Sequence, residues 1–259
     1  MIRYRRAPTM RLFLAGLVLA ALAPAHDLWM IEDQGRLLIR IGEDFPVATN
    51  GITADRIVFW RLLDIRGALS LVGQAEEKQF AAPLPEPRGP AVVELEVQPR
   101  LITLQAPAFN RYIGGEGFDH VVAARRKAGA DETPGREKYS RYSKLLVEAP
   151  GDDRHLLAPR GHHLEIVPEA NPARLREGAD LPVRILFEGQ PLAGVWVSAG
   201  PAGMKGHQFP ARARTDAAGR VLLGARSRGL WYVRLIHMIP SPDPGVEWRS
   251  FFATLTFLR

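Results

Sequence analysis

Apolar positions in this chain recur at two spacings, and the shorter one dominates. Short segments rich in β-branched and aromatic residues, closed off by glycine, proline and acidic turns, predict strands at 28–31, 36–41, 56–63, 92–97 and 101–105. A loop carrying Pro83, Pro85, Pro87 and Pro90 interrupts the run. One stretch differs. At 116–128, Phe118, Val121, Val122 and Arg125 stand at helical spacing, which predicts a short helix with a basic outer end at Arg125, Arg126 and Lys127. The polar stretch from Arg136 then enters a strand, in which Tyr139 and Arg141 share one side and Tyr142 and Lys144 the other. After a loop at 149–161, segments at 163–167, 181–188, 194–199, 210–215, 220–223, 230–238 and 248–258 alternate with turn signals. Seven such segments fit a β-sandwich of about 100 residues. The expected fold is mainly β, with two β-sandwich-like domains: a β-rich one at 26–160 that holds the short helix, and a second at 161–259.

The first 25 residues read as neither. Arg3, Arg5, Arg6 and Arg11 precede an apolar run, and Ala23-Pro24-Ala25 supplies the small residues that a signal peptidase reads. A cleaved signal peptide at 1–25 is expected, and with it a periplasmic or secreted protein. The run is shorter than the roughly 20 residues that span a bilayer, and no later segment is long and apolar enough, so no direct membrane insertion is expected after cleavage. The chain has no cysteine, which excludes a lipid-modified cysteine, disulfides and thiolate ligands. Its net charge is +6, of which the leader's four arginines supply four, and the remaining +2 gives no case for nucleic acid as a partner.

Cleavage after Ala25 changes the chemistry of one residue. His26 would gain a free α-amine, and that amine with its own imidazole Nδ1 can close a six-membered chelate on a metal ion. Reference pKa values of about 7.7–8.0 and about 6.5 leave both nitrogens easily deprotonated near neutral pH. A second ligand must come from elsewhere, and His237 is the expected partner. It ends the row Trp231, Val233, Leu235 on one face of a strand, where the strand meets a loop. Trp29 and Trp248 could wall the same spot, and Tyr142 and Lys144 are candidates for its surroundings. His120 and His163 are weaker candidate ligands, while His155 and His207 lie in polar loops and are not expected to take part. Nitrogen donors without thiolate suit Ni(II), Co(II) or Cu(II).

Several stretches stand out in order along the chain: Ala25-His26-Asp27-Leu28-Trp29, Gly135-Arg136-Glu137-Lys138-Tyr139-Ser140-Arg141-Tyr142-Ser143-Lys144, Leu164-Glu165-Ile166-Val167-Pro168 with Asn171-Pro172, the Thr215–Gly219 turn, Gly229-Leu230-Trp231-Tyr232-Val233-Arg234 with His237-Met238, and Trp248. Together they resemble a bacterial periplasmic domain family of largely unknown function found beside nickel and cobalt uptake transporters. The resemblance implies a metal-binding role in nickel or cobalt uptake, with a membrane transporter as partner. The second half is also similar to transthyretin-like and carboxypeptidase-regulatory sandwiches through Pro191-Leu192-Ala193-Gly194 and Thr215-Asp216-Ala217-Ala218-Gly219. That likeness implies an immunoglobulin- or transthyretin-like fold only.

Two rival functions stand beside the metal carrier. A terminal histidine with a second histidine is also the brace of copper oxygenases that attack polysaccharides. A sandwich could equally serve as a metal-free docking or assembly module. No enzyme motif tips the balance: Gly-x-Ser-x-Gly, a phosphate-cradling glycine loop and His-Glu-x-x-His are all missing from the sequence.

Overall fold

The computed structural model describes residues 26–259, so the expected signal peptide lies outside the described residues. In chain order the elements are β1 (Asp27–Asp33), β2 (Arg36–Gly42), β3 (Ile57–Asp64), β4 (Gly67–Ser70), β5 (Gln74–Ala75), β6 (Gln79–Pro83) and β7 (Ala91–Leu104). Two helices follow, α1 (Ala106–Glu116) and α2 (Asp119–Lys127), and then β8 (Gly135–Val147) and β9 (Leu164–Pro168). The remainder is β10 (Leu181–Phe187), β11 (Gln190–Pro191), β12 (Trp196–Pro201), β13 (Ala211–Arg214), β14 (Arg220–Leu223), β15 (Leu230–Pro240) and β16 (Trp248–Leu258).

The chain is mainly β, as its apolar alternation leads one to expect, and among the described residues the strands form three sheets. The largest runs β13-β12-β15-β16-β8-β7-β3-β4 and takes four strands from each side of residue 160. They meet where β16 pairs in parallel with β8, from Trp248 opposite Glu137 to Thr256 opposite Leu145. Both faces of this long sheet are covered, and its central strand β16 is buried along almost its whole length. On one face Phe251, Ala253, Leu255 and Phe257 of β16 pack with Trp231, Val233 and Leu235 of β15 against β9, β10 and β14. On the other face the sheet β1-β2-β6-β5 sets Leu28, Met30, Leu37, Ile39 and Phe80 against Trp60, Leu62, Val93 and Leu95. The same face carries the helices, through Phe109, Ile113, Phe118 and Val121 on Ile236, Met238, Trp248 and Phe252.

All seven strands expected after residue 161 form, though the long sheet divides them between two layers. Three features depart from expectation. The segments 92–97 and 101–105 are one strand, β7, with a register shift between Val97 and Arg100 where Pro99 cannot donate to the ladder. The expected helix starts at Asp119 rather than residue 116, and a second helix, α1, precedes it. Gly117 in the left-handed region (φ +80°) breaks the two apart, and a Cβ there would meet the Trp196 ring at 2.9 Å. The basic end of α2 is not wholly outward either. Arg125 is 1% exposed, with Nη1 donating to Glu247 at 2.5 and 2.6 Å and Nη2 to the carbonyls of Ala130 and, at 2.6 Å, Thr133.

Candidate functional site

A cavity of about 1020 Å³ opens between the small sheet, the helices and the long sheet. Its walls are built by simple periodicity. Ala108, Arg111, Tyr112 and Gly115 lie on one face of α1, while Phe109 and Ile113 on the other are buried in the core. Glu137, Tyr139 and Arg141 alternate along β8 into the same space, with Tyr142 and Lys144 on the reverse, as the sequence predicts. In β7, Leu95 and Val97 are the inward residues before the shift, and Arg100, Ile102 and Leu104 after it. The shift changes which parity faces inward, and it is what sets Arg100 opposite Tyr139.

His26 lines this cavity because the residues around it are held one by one. Arg141 donates to the His26 carbonyl at 2.7 Å. The side chain of Asp27, 2% exposed, meets Arg234 at 3.0 Å and accepts from the Tyr232 hydroxyl at 3.3 Å. Thr254 donates its hydroxyl to the Leu28 carbonyl at 2.7 Å. Trp29 is fully buried against Phe45 and Tyr232. The imidazole itself has Nε2 3.1 Å from a Glu43 carboxylate oxygen and Nδ1 3.5 Å from the Asn50 amide.

The electrostatics of the walls are uneven. Burial would pull Arg234 down, but Asp27 and Glu116 hold its pKa above the ordinary value, with Nη1 and Nη2 on the two Glu116 oxygens at 2.7 and 3.0 Å. The same cation keeps the buried Glu116 ionised below the usual carboxylate range. Glu137 goes the other way. Burial pushes its carboxyl up to about 7, against hydrogen bonds donated by Ser250 and, at 3.3 Å, Tyr112. Burial also raises the Tyr112 phenol.

Only part of the expected ligand set comes together. His237 stands on the opposite face of the long sheet from the cavity, beside Phe187 at 4.7 Å between ring centroids, and burial with the neighbouring His120 lowers its pKa to about 4. The physical reason is strand parity: Arg234 and Phe252 face the cavity, and His237 follows Leu235 into the other core. His120 meets the Met238 carbonyl at 2.8 Å, and His163 lies 3.7 Å from Glu188. Tyr142 is buried in the far core, Lys144 is buried on Glu165 at 2.7 Å, and Trp248 packs under the helices. Trp29 supports Tyr232 from behind rather than lining the cavity. Among the described residues, His207 is the second histidine of the cavity wall, with Nε2 3.7 Å from Asp27. Its polar loop, closing onto Asp44 through the Gly206 amide at 2.7 Å, gives no signal of this in the sequence. No group of three or more His, Asp or Glu residues suited to a metal ion occurs among the described residues. Protein donors alone would therefore offer the chelate of His26 rather than a closed cage.

No curated protein matches the chain. Residues 23–239 match a domain family of unknown function, DUF4198, a span that holds the whole cavity wall except Phe252. The chain therefore belongs to the DUF4198 domain family.

Proposed function

We propose that the protein is an exported metal-binding protein that holds a divalent transition ion, Ni(II) or Co(II), through the terminal amine and Nδ1 of a processed His26, and serves uptake by passing it to a membrane transporter. The observation that supports this reading is the fixing of Asp27, Leu28 and Trp29, which leaves His26 on the wall of a large cavity with its carbonyl gripped by Arg141. A terminus pinned in this way loses little freedom when it chelates, so two nitrogens suffice for a site that must also release its ion. The nickel and cobalt assignment and the periplasmic location rest on the sequence likeness and the leader.

The test is calorimetric titration of Ni(II), Co(II) and Cu(II) into protein starting at His26, beside protein with one additional N-terminal alanine. Binding to the first and at least tenfold weaker binding to the second is expected, because the amide in place of the amine cannot coordinate without losing its proton. Equal binding by both would refute the terminal chelate, and no binding by either would favour the metal-free docking module.

His207 favours one second reading, a copper brace in which it takes the role expected of His237. Copper-loaded protein that consumes oxygen with ascorbate, and loses this in His207→Ala, would support that enzyme over the carrier.

A further inference from the structure

Four arginines of the cavity wall carry charge that the protein does not itself neutralise. Arg56 donates to the Gln98 carbonyl at 3.0 Å and Arg141 to that of His26 at 2.7 Å, and the Nε of each is buried without a partner. Arg100 and Arg111 are exposed on the wall and have no hydrogen-bond or carboxylate partner among the described residues. Burial lowers the Arg56 pKa and the neighbouring Arg100 lowers it further, against weaker opposing effects of Tyr139 and Asp55, so like charges crowd on this wall. The acids nearby offset this only in part: Glu116 and Asp27 are paired with Arg234, though Asp27 also acts on Arg141, and burial raises Glu137 to about 7, which leaves Asp55. Like-charged arginines gathered on one wall, two of them half-buried with an unpartnered buried Nε, are costly for the folded chain, and an anion with two or more oxygens on each acidic group would relieve them.

We infer that this cavity binds a small organic di- or tricarboxylate, held by Arg56, Arg100, Arg111 and Arg141 beside His26. A carbon skeleton is required because the same wall is apolar at Ile52, Ile102, Leu104 and Phe252. The volume leaves room for such a molecule and for water. This site stands on the arginines and not on the metal reading. The two readings are compatible: a metal ion that enters with a polycarboxylate brings its charge already offset into a net-positive cavity.

The experiment is calorimetric titration of citrate, succinate and inorganic phosphate into metal-free protein starting at His26, at fixed ionic strength, with Arg100→Gln/Arg111→Gln as the variant. Both arginines are exposed, so the variant should melt at the same temperature as the parent without ligand. The expected result is saturable binding of citrate or succinate that the variant weakens at least tenfold, with phosphate at least tenfold weaker than the better carboxylate. No carboxylate binding, equal affinity in the variant, or phosphate as tight as the better carboxylate would overturn the inference. Carboxylate binding that survives the additional N-terminal alanine upholds this site even where metal binding is lost, so the two readings fail separately.

Discussion

Glu137 shows how one buried residue writes a pH dependence into the whole protein. Its folded pKa of about 7 lies above the roughly 4.3 of an exposed glutamate, so over that interval the folded chain keeps a proton that the unfolded chain has released. Stability contributed at this site is therefore greatest below about pH 4 and declines as pH rises towards 7, at a total cost on the order of 3 kcal/mol. Glu137→Gln keeps an oxygen for Ser250 and Tyr112 and removes the charge. The variant should melt higher than the parent at pH 8, with the gap shrinking steadily as pH falls to 5, and parallel melting curves across that range would rule this out. Legibility at this scale was mixed. Alternation alone put Tyr139 and Arg141 on one side of a strand and Tyr142 and Lys144 on the other. Nothing in the sequence near His207 hints that a loop packed on Asp44 carries it to the wall that holds His26, because that contact spans well over a hundred residues.

At the scale of elements, strands were readable and α1 was not. The strand signals repeat with the sheet's own period, so segments such as 181–188 and 248–258 coincide with β10 and β16 within a residue. The α1 segment has Gly114-Gly115 near its end, which lower its intrinsic propensity, and Pro107 in its first turn reads in sequence as a breaker although that position tolerates it; its stability comes from Phe109 and Ile113 entering the core. That dependence has a measurable consequence at Gly135, the first residue of β8. A Cβ there would run into the ring of Phe109, a fully buried side chain with Arg125 stacked at 4.9 Å from its centroid. Gly135→Ala should displace the ring and loosen α1 from the sheet, costing about 1–3 kcal/mol and removing part of the cavity wall. Urea unfolding measures the first effect. A midpoint within error of the parent's would show that the ring has somewhere else to go.

For the whole molecule, the loop at 149–161 looks like a boundary in sequence because proline, glycine and charge collect there, yet long-range contacts span it. Lys144 and Glu94 from before the loop and Arg160 and Glu165 at and after it form one buried charged cluster, with Glu165 accepting from the Arg160 and Gly161 amides at 2.7 and 3.0 Å. The neutral state of His162 fits this setting, since burial and then Lys144 lower its pKa to about 4. More decisively, β16, from the far side of the loop, sits in the interior of the long sheet, where it supplies Phe252 to the cavity and Thr254 to the Leu28 carbonyl. A chain cut at residue 160 would leave β8 without its parallel partner and β1 without the surface that positions His26. Buried groups stripped of their partners in this way cost several kcal/mol each, against a total stability of about 5–15 kcal/mol. Residues 26–160 made alone should therefore show no cooperative thermal transition, while the chain from His26 to Arg259 unfolds in one. A sharp transition in the 26–160 fragment, or two separate ones in the longer chain, would mean that the halves hold their own folds and that the shared sheet is only a seam between them.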